Sequence, residues 1–336
     1  MIIISDPTLR DGNHSVKHTI SLDSIAKYCK AADEAGIPII EVGHGNGLGA
    51  SSILIGQATH TDAEMLKVAR QNIIKAKLQV HIIPGLATIK KDIIPAIEAG
   101  VDIFRIACHV TEATITRSHI EFLKSQNKTV HGVLMMSALA TVDQLSDNAK
   151  LLESYGAEAI IIMDSTGTYM PCDVEERIYD LIQTVGDNIK IGFHGHNNLG
   201  LAIANSLIAV ENGATIIDAT IRGFGAGAGN TQIECLIPVL EKMREKTNID
   251  FAKLIKLADE VEGYLVKEPP ITRPINVLTG LNKIFSGFEK PIIKAAKLYG
   301  VEYSSLIFEL GNRKLVAGQE DLITEVAQNL KKLGNS

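Results

Sequence analysis

The chain has 336 residues, 46% of them hydrophobic and 21% charged, and its formal net charge is −6 at pH 7. This length allows a substantial core in one large domain or two, and the acidic balance argues against a nucleic-acid or anionic-membrane surface. Four cysteines without Cys-x-x-Cys spacing, no signal-peptide pattern and no apolar run of membrane-spanning length predict a cytoplasmic protein with reduced thiols.

Short apolar runs typical of buried strands recur along the first two thirds of the chain, and segments with helical periodicity separate them. Ser21, Thr61-x-x-Glu64 and Thr141-x-x-Gln144 predict three of the helix starts. Strands that alternate with helices predict a parallel α/β sheet, and eight such units in about 250 residues favour a closed (β/α)8 TIM barrel over an open doubly wound sheet. The eight runs are residues 2–5, 38–42, 79–83, 102–107, 130–135, 159–163, 190–193 and 215–218.

The pattern changes towards the C-terminus. Residues 251–264 have helical periodicity, and a proline-rich break follows at 268–274. Beyond the break, three further helices are predicted without strands between them, at residues 292–299, 303–310 and 320–330. We therefore predict a barrel domain over residues 1–264 and a small helical C-terminal domain over residues 265–336.

A His-x-His pair stands at the end of the seventh predicted strand. Side chains alternate along a strand, so His194 and His196 are expected on one face, where two imidazoles can share a divalent metal. In a TIM barrel the ends of strands 1 and 7 lie close together, which brings Asp11 to the pair and predicts a 2-His-1-carboxylate site. Mn²⁺, Mg²⁺, Fe²⁺, Co²⁺ and Zn²⁺ all suit such donors, and the alternative is two polar loop residues without a ligand.

The same rule places other polar residues at the mouth of the barrel. Arg10 can stabilise charge on an enolate oxygen or tie the mouth together. His14 is a candidate general base, or a loop histidine in solvent. Ser165 can bind a substrate carboxylate or cap the next helix. The remaining strand-end residues are Glu41, His44, His81, His109 and Asp164.

A glycine-rich run, residues 223–230, follows the eighth predicted strand. Its spacing and its position after the last strand do not match a dinucleotide-binding fingerprint. We predict a tight turn that lets backbone approach the site, with phosphate binding as the lesser alternative. Asn230 is predicted to cap the following helix rather than to approach the metal.

The motifs Thr8-Leu9-Arg10-Asp11-Gly12, His194-Gly195-His196-Asn197-Asn198 and Gly225-Ala226-Gly227-Ala228-Gly229-Asn230 resemble those of metal-dependent lyases and condensing enzymes related to 3-hydroxy-3-methylglutaryl-CoA lyase and isopropylmalate synthase. The chain more closely resembles the bacterial 4-hydroxy-2-oxovalerate aldolases. Stretches such as Gly43-His44-Gly45-Asn46-Gly47-Leu48 and Val316-Ala317-Gly318-Gln319-Glu320-Asp321 extend this resemblance over nearly the whole chain.

The resemblance implies a class II pyruvate aldolase that releases pyruvate and a short aldehyde, acetaldehyde in the type reaction. It implies Asp11, His194 and His196 as ligands of Mn²⁺, or of another divalent metal such as Mg²⁺ or Co²⁺, with Asp11 and His194 also at the substrate. It further implies an acylating acetaldehyde dehydrogenase as partner, which receives the aldehyde and contacts the C-terminal domain.

The resemblance also implies roles for individual side chains. Arg10 would bind the substrate and stabilise the pyruvate enolate. His14 would take the proton from the C4 hydroxyl as the C3–C4 bond breaks, and Ser165 would bind the pyruvyl carboxylate.

Two residues depart from the family pattern. Phe285 stands where the family has a tyrosine near the substrate C4, and His81 stands where leucines shape the aldehyde pocket. The lost hydroxyl affects hydrogen bonding at C4, and His81 suggests a more polar aldehyde.

Two alternatives stay open. One is an acyl-CoA lyase or Claisen condensing enzyme of the same superfamily, against which His14 and the short C-terminal domain count. The other is a non-catalytic subunit of an aldehyde dehydrogenase complex, which would not need the site residues.

Overall fold

The computed structural model describes residues 1–315 and 319–334 and confirms the predicted barrel. Its eight strands are parallel and close in chain order, with β1 hydrogen-bonded to both β2 and β8. The predicted family stretch 316–321 lies partly outside the described residues. The strands are β1 (Ile3–Leu9), β2 (Ile39–Val42), β3 (Lys77–Ile82), β4 (Ile103–His109), β5 (Thr129–Met135), β6 (Ala159–Asp164), β7 (Lys190–Gly195) and β8 (Ile216–Asp218).

Helices cover the outside of the barrel, and their starts follow the predicted capping chemistry. In the first capping box, the Glu64 backbone N–H donates to Thr61 Oγ1 at 3.3 Å, and the Thr61 N–H donates to Glu64 Oε2 at 2.8 Å. Thr141 and Gln144 form the same reciprocal pair. The helices of this part are α1 (Leu22–Glu34), α2 (Asp62–Asn72), α3 (Ile94–Glu98), α4 (Arg117–Ser125), α5 (Val142–Tyr155), α6 (Pro171–Thr184), α7 (Ala202–Glu211), α8 (Ile233–Lys242) and α9 (Phe251–Glu260).

The first strand is longer than predicted, because Asp6, Pro7 and Thr8 argue against a strand in the sequence. The buried Asp6 carboxylate accepts the Thr8 N–H at 2.9 Å and the Tyr28 hydroxyl, which satisfies it inside the protein. The strand consequently ends at Leu9, directly before the Arg-Asp pair. This extension carries both charged side chains to the mouth of the barrel.

The described residues of the C-terminal part form four α-helices with an apolar core of their own. The core of the barrel extends to Val266, and the second core begins at Ile275. The three predicted helices are confirmed, whereas the first one, which starts inside the proline-rich break, was missed. Proline is favoured in the first turn of a helix, and Asn276 Oδ1 accepts the Arg273 N–H at 2.9 Å to cap this one. The helices are α10 (Pro274–Leu281), α11 (Glu289–Tyr299), α12 (Tyr303–Asn312) and α13 (Glu320–Gly334).

Within the described ranges, none of the helices is both long and apolar enough to cross a membrane.

Candidate metal centre

Three side chains from distant parts of the sequence meet at the mouth of the barrel. Asp11 follows β1, His194 lies in β7 and His196 follows β7. Their ligand atoms all lie within 4.8 Å of one another, and all three residues are buried. Only β8 separates β1 from β7, so the predicted closure of the barrel brings these residues together.

Hydrogen bonding fixes the form of His194. Its Nδ1 lies 2.9 Å from Asp218 Oδ2, and its Nε2 lies 3.4 Å from Nε2 of His196. Asp218 is ionised, because Arg105 and His194 lower its pKa against the effect of burial. Nδ1 of His194 therefore carries the proton, and its Nε2 lone pair faces the second ring. Two imidazole nitrogens and a carboxylate that converge in this way fit a divalent cation.

The charge states of the candidate ligands also suit a divalent cation. Burial lowers the pKa of His196 to about 3, although Asp11 partly opposes this effect. Burial alone would raise the pKa of Asp11, but the Arg10 guanidinium and the nearby imidazoles hold it well below its usual range. A neutral imidazole and an ionised carboxylate are the forms that bind metals.

The glycine-rich run holds Asp11 in place. Asp11 Oδ2 accepts the Asn230 amide at 2.7 Å and the Ala226 backbone N–H at 3.2 Å. The predicted tight turn with backbone close to the site is confirmed. The predicted helix cap at Asn230 is wrong: Gln232 occupies the N-cap of α8, and the Asn230 amide is drawn to the buried carboxylate instead.

We expect Gly225→Ala to weaken metal binding. An added Cβ would lie 2.1 Å from Asn230 Nδ2 and 2.4 Å from Asp11 Oδ2, so one of these groups must move. We predict Mn²⁺ affinity reduced about 10-fold to 100-fold, as when other partners of metal ligands are lost. Calorimetric titration with Mn²⁺ measures this, and Gly263→Ala is the control because nothing lies within 4 Å of its added Cβ. Equal affinity in Gly225→Ala and the control would contradict the assignment.

Arg10 lies beside Asp11 with its guanidinium fixed on one side. Nε donates to Glu41 Oε1 at 2.6 Å, and Nη1 donates to Asp11 Oδ1 at 2.9 Å and to the Gly45 carbonyl at 3.3 Å. Nη2 is buried and has no hydrogen-bond partner among the described residues. The side chain is thus oriented by the protein and keeps one donor for another acceptor.

His14 ends a short 3₁₀ turn, Asp11–His14, and is only partly exposed. Its ring packs against Gly45, where an added Cβ would lie 2.7 Å from ring atoms, and meets the His18 ring edge-on at a centroid distance of 5.4 Å. Burial lowers the pKa of His14 to about 4, and Asp11 partly opposes this shift. His14 is therefore a neutral, packed imidazole three residues after Asp11, and not a solvated loop histidine.

Ser165 ties the ends of two strands together. Its Oγ accepts the Met136 N–H at 2.9 Å and lies 3.5 Å from the Met163 carbonyl. The alternative that Ser165 caps the next helix is wrong, because Met170 occupies the N-cap position of α6.

The two residues that depart from the family pattern lie in different parts of the fold, His81 in the barrel and Phe285 in the C-terminal part. His81 is buried in β3, its pKa is lowered by burial and by Arg10, and its Nδ1 has no hydrogen-bond partner among the described residues. Phe285 precedes a short 3₁₀ turn of the C-terminal part, with its ring 5.7 Å from that of Phe288. The adjacent Ser286 donates to Asn198 Oδ1 at 3.1 Å, two residues after His196.

Other strand-end histidines do not join the cluster. His44 stacks on His18 with ring centroids 3.6 Å apart, and its Nε2 lies 3.0 Å from the Gly56 carbonyl. His109 pairs with Thr111.

Two family models match the chain: the HMGL-like model matches residues 1–261, and the model of the DmpG-like communication domain matches residues 270–332. Curated 4-hydroxy-2-oxovalerate aldolases from Spirochaeta aurantia and Pectobacterium atrosepticum are 52% and 51% identical to this chain, over 99% and 98% of its length and 97% and 96% of theirs. The chain belongs to the 4-hydroxy-2-oxovalerate aldolase family. The predicted resemblance is therefore confirmed, and the family's members are carbon–carbon lyases.

A more distant similarity is limited to the fold. The carboxyl transferase domain of Rhizobium etli pyruvate carboxylase superposes with a TM-score of 0.81 at 17% identity, over 98% of this chain and 60% of that one.

The sequence patterns did not indicate two charged residues inside the barrel, Arg105 and Asp218. Asp218 supports His194, and Arg105 forms ion pairs with Asp218 at 2.6 Å and with Glu41 at 3.2 Å. Both missed residues lie within or at the end of apolar predicted strands. A charged side chain that alternation points into a barrel is the signal that could have found them.

Proposed function

We propose that this chain catalyses the divalent-metal-dependent retro-aldol cleavage of a 4-hydroxy-2-oxo acid to pyruvate and a short aldehyde such as acetaldehyde. The observation that carries the proposal is the buried set of Asp11, His194 and His196, with the free donor of Arg10 beside it. Two family members at about half identity carry the name of this activity.

In this proposal Asp11, His194 and His196 hold the metal, with Mn²⁺ as the preferred ion and Mg²⁺ or Co²⁺ as substitutes. A bound divalent ion supplies Lewis-acid polarisation of the substrate's 2-oxo group. Asp11 and His194 are proposed to lie next to the substrate as well, and Asp11 Oδ1 accepts a hydrogen bond from Arg10 Nη1 at 2.9 Å.

Arg10 stabilises the charge that develops during cleavage. When the C3–C4 bond breaks, its electron pair moves towards C2 and the 2-oxo oxygen gains negative charge. The unpartnered Nη2 of Arg10 is the donor proposed for that oxygen, since Glu41 and Asp11 already orient the rest of the guanidinium.

His14 is the proposed general base. It takes the proton of the C4 hydroxyl as the C4–O bond becomes the carbonyl of the aldehyde, and protonation at C3 then completes pyruvate. With its pKa lowered by burial to about 4, the imidazole is unprotonated near neutral pH, the form that a general base requires.

Ser165 is proposed to bind the substrate carboxylate. Its Oγ already accepts the Met136 N–H, and among the described residues the one acceptor for its own proton is the Met163 carbonyl at 3.5 Å. A carboxylate oxygen at normal hydrogen-bond distance would be a better acceptor.

His81 and Phe285 are proposed to determine which aldehyde the site accommodates. A buried imidazole with an unpartnered Nδ1 favours a polar group on the aldehyde, such as a hydroxyl. Phe285 retains the shape of a tyrosine ring without its hydrogen bond.

We further propose that residues 265–336 form the domain that contacts an acylating acetaldehyde dehydrogenase. The match to a communication domain supports this role. Its first helix is joined to the metal-binding loop, because the Asn198 amide donates to Thr279 Oγ1 at 3.2 Å.

Pyruvate release from a series of 4-hydroxy-2-oxo acids tests the proposed function. We expect pyruvate release from 4-hydroxy-2-oxopentanoate and from the analogue with a hydroxymethyl group in place of its methyl group, 4,5-dihydroxy-2-oxopentanoate. Chelation of the metal should abolish this release, and added Mn²⁺ should restore it. Release from the analogue at a higher kcat/KM would support the role of His81. Lack of pyruvate from every member of the series would contradict the aldolase, and a requirement for coenzyme A would favour the acyl-CoA lyase alternative.

A further inference from the structure

A line of charged side chains crosses the interior of the barrel from the substrate side to the metal side. Arg10 Nε lies 2.6 Å from Glu41 Oε1, and Arg105 Nη1 lies 3.2 Å from Glu41 Oε2. Arg105 Nη2 lies 2.6 Å from Asp218 Oδ2, which in turn lies 2.9 Å from Nδ1 of His194. We call these five residues the interior chain.

Every member of the interior chain is removed from water. The exposed fraction of its side chains is 4% or less, and Arg105 is 1% exposed. Buried charges are costly unless they are paired with good geometry, and losing one partner leaves the other uncompensated. Arg105 is the only member that contacts both carboxylates, whereas Gln79, outside the interior chain, donates to Glu41 alone at 2.8 Å. Arg105 is therefore the one guanidinium that links Glu41 to Asp218.

We propose that Arg105 is a positioning residue that orients Arg10 through Glu41 and His194 through Asp218. Arg105 thereby couples the donor for the substrate oxygen to a ligand of the metal. This inference rests on the proposed function for the role of Arg10.

The charges around the site are consistent with this arrangement. Arg10 and Arg105 face the carboxylates of Asp11, Glu41 and Asp218, which leaves one net negative charge. The imidazoles that also face the chain, His81 and His131, are neutral near pH 7 because burial lowers their pKa. A divalent cation and a substrate with one carboxylate bring the total to zero.

The shape of the side chain matters as much as its charge. A guanidinium is a planar fork whose two Nη groups can reach two carboxylates at fixed positions. A lysine ammonium at the same place keeps the charge but is a single point. Arg105→Lys therefore separates the positioning role from simple charge balance.

The test compares Arg105→Lys with the wild type in two measurements. We expect calorimetric titration with Mn²⁺ to give an affinity about 10-fold to 100-fold lower. We also expect kcat for pyruvate release at saturating Mn²⁺ to fall about 100-fold, because the reacting groups are misplaced. Arg70→Lys is the control, since Arg70 forms an ion pair with Asp102 and donates to two backbone carbonyls away from the interior chain, between α2 and the start of β4.

A lower melting temperature with Mn²⁺ affinity and kcat both within twofold of wild type would overturn the proposal, because that is the expected result for Arg70→Lys. Should Arg105→Lys fail to fold, Asp218→Asn breaks the interior chain with the same shape, and unchanged Mn²⁺ affinity in that variant would overturn it. The titration does not depend on turnover, so a wild type that binds Mn²⁺ without releasing pyruvate would refute the proposed function separately.

Discussion

Replacing Arg10 by methionine is expected to lower kcat/KM for pyruvate release by about 100-fold to 1,000-fold, the usual effect of losing one donor to a developing oxyanion. Methionine keeps much of the length of the side chain but removes the unpartnered Nη2 and the bonds to Glu41 and Asp11. Initial rates with 4-hydroxy-2-oxopentanoate at saturating Mn²⁺ measure the effect. Arg10→Lys restores the charge without the planar guanidinium, and its kcat/KM should lie between those of the wild type and Arg10→Met.

A surface arginine provides the control for this experiment. Arg117 is largely exposed and pairs with Glu121 on the outside of α4, so Arg117→Met should leave kcat/KM within twofold of wild type. An Arg10→Met variant that folds, binds Mn²⁺ and retains wild-type kcat/KM would mean that Arg10 only ties the mouth of the barrel together.

His14→Ala is expected to reduce cleavage by about 100-fold to 10,000-fold while metal content stays unchanged, because general bases contribute in this range. The His14 ring packs on Gly45 and lies outside the group of three ligand atoms. Pyruvate release and metal analysis of the purified variant are the two measurements. His109→Ala, at the end of β4 and paired with Thr111, is the matched control and should retain full activity.

Loss of metal in His14→Ala would instead make His14 a ligand.

The lowered pKa of His14 also predicts a pH effect on stability. Its pKa is about 4 in the folded protein against an ordinary value of 6.5, so the unfolded chain binds more protons below about pH 6.5. This group therefore destabilises the fold as the pH falls from about 6.5 towards 4.

The architecture could be predicted from the sequence because it depends on local residue patterns. Buried parallel strands are uniformly apolar, helix starts carry capping residues, and a barrel places the ends of its strands together. These three regularities were enough to bring Asp11 to His194 and His196. The resemblance then supplied the family, which the relatives confirm.

The missed features depend on contacts between distant residues. Arg105 and Asp218 sit in apolar runs, and only the closed barrel shows that they neutralise each other and support His194. Asn230 was assigned to a cap because its partner, Asp11, is more than two hundred residues away in the chain. Helix α10 begins at a proline, which the sequence pattern equally allows in a break.

Crystals of the protein grown with Mn²⁺ and measured near the manganese absorption edge test the central claim most directly. We predict one strong anomalous peak at the mouth of the barrel, about 2.0–2.3 Å from a carboxylate oxygen of Asp11 and from Nε2 of both His194 and His196. A peak elsewhere, or a peak that lacks any of these three contacts, would contradict the account.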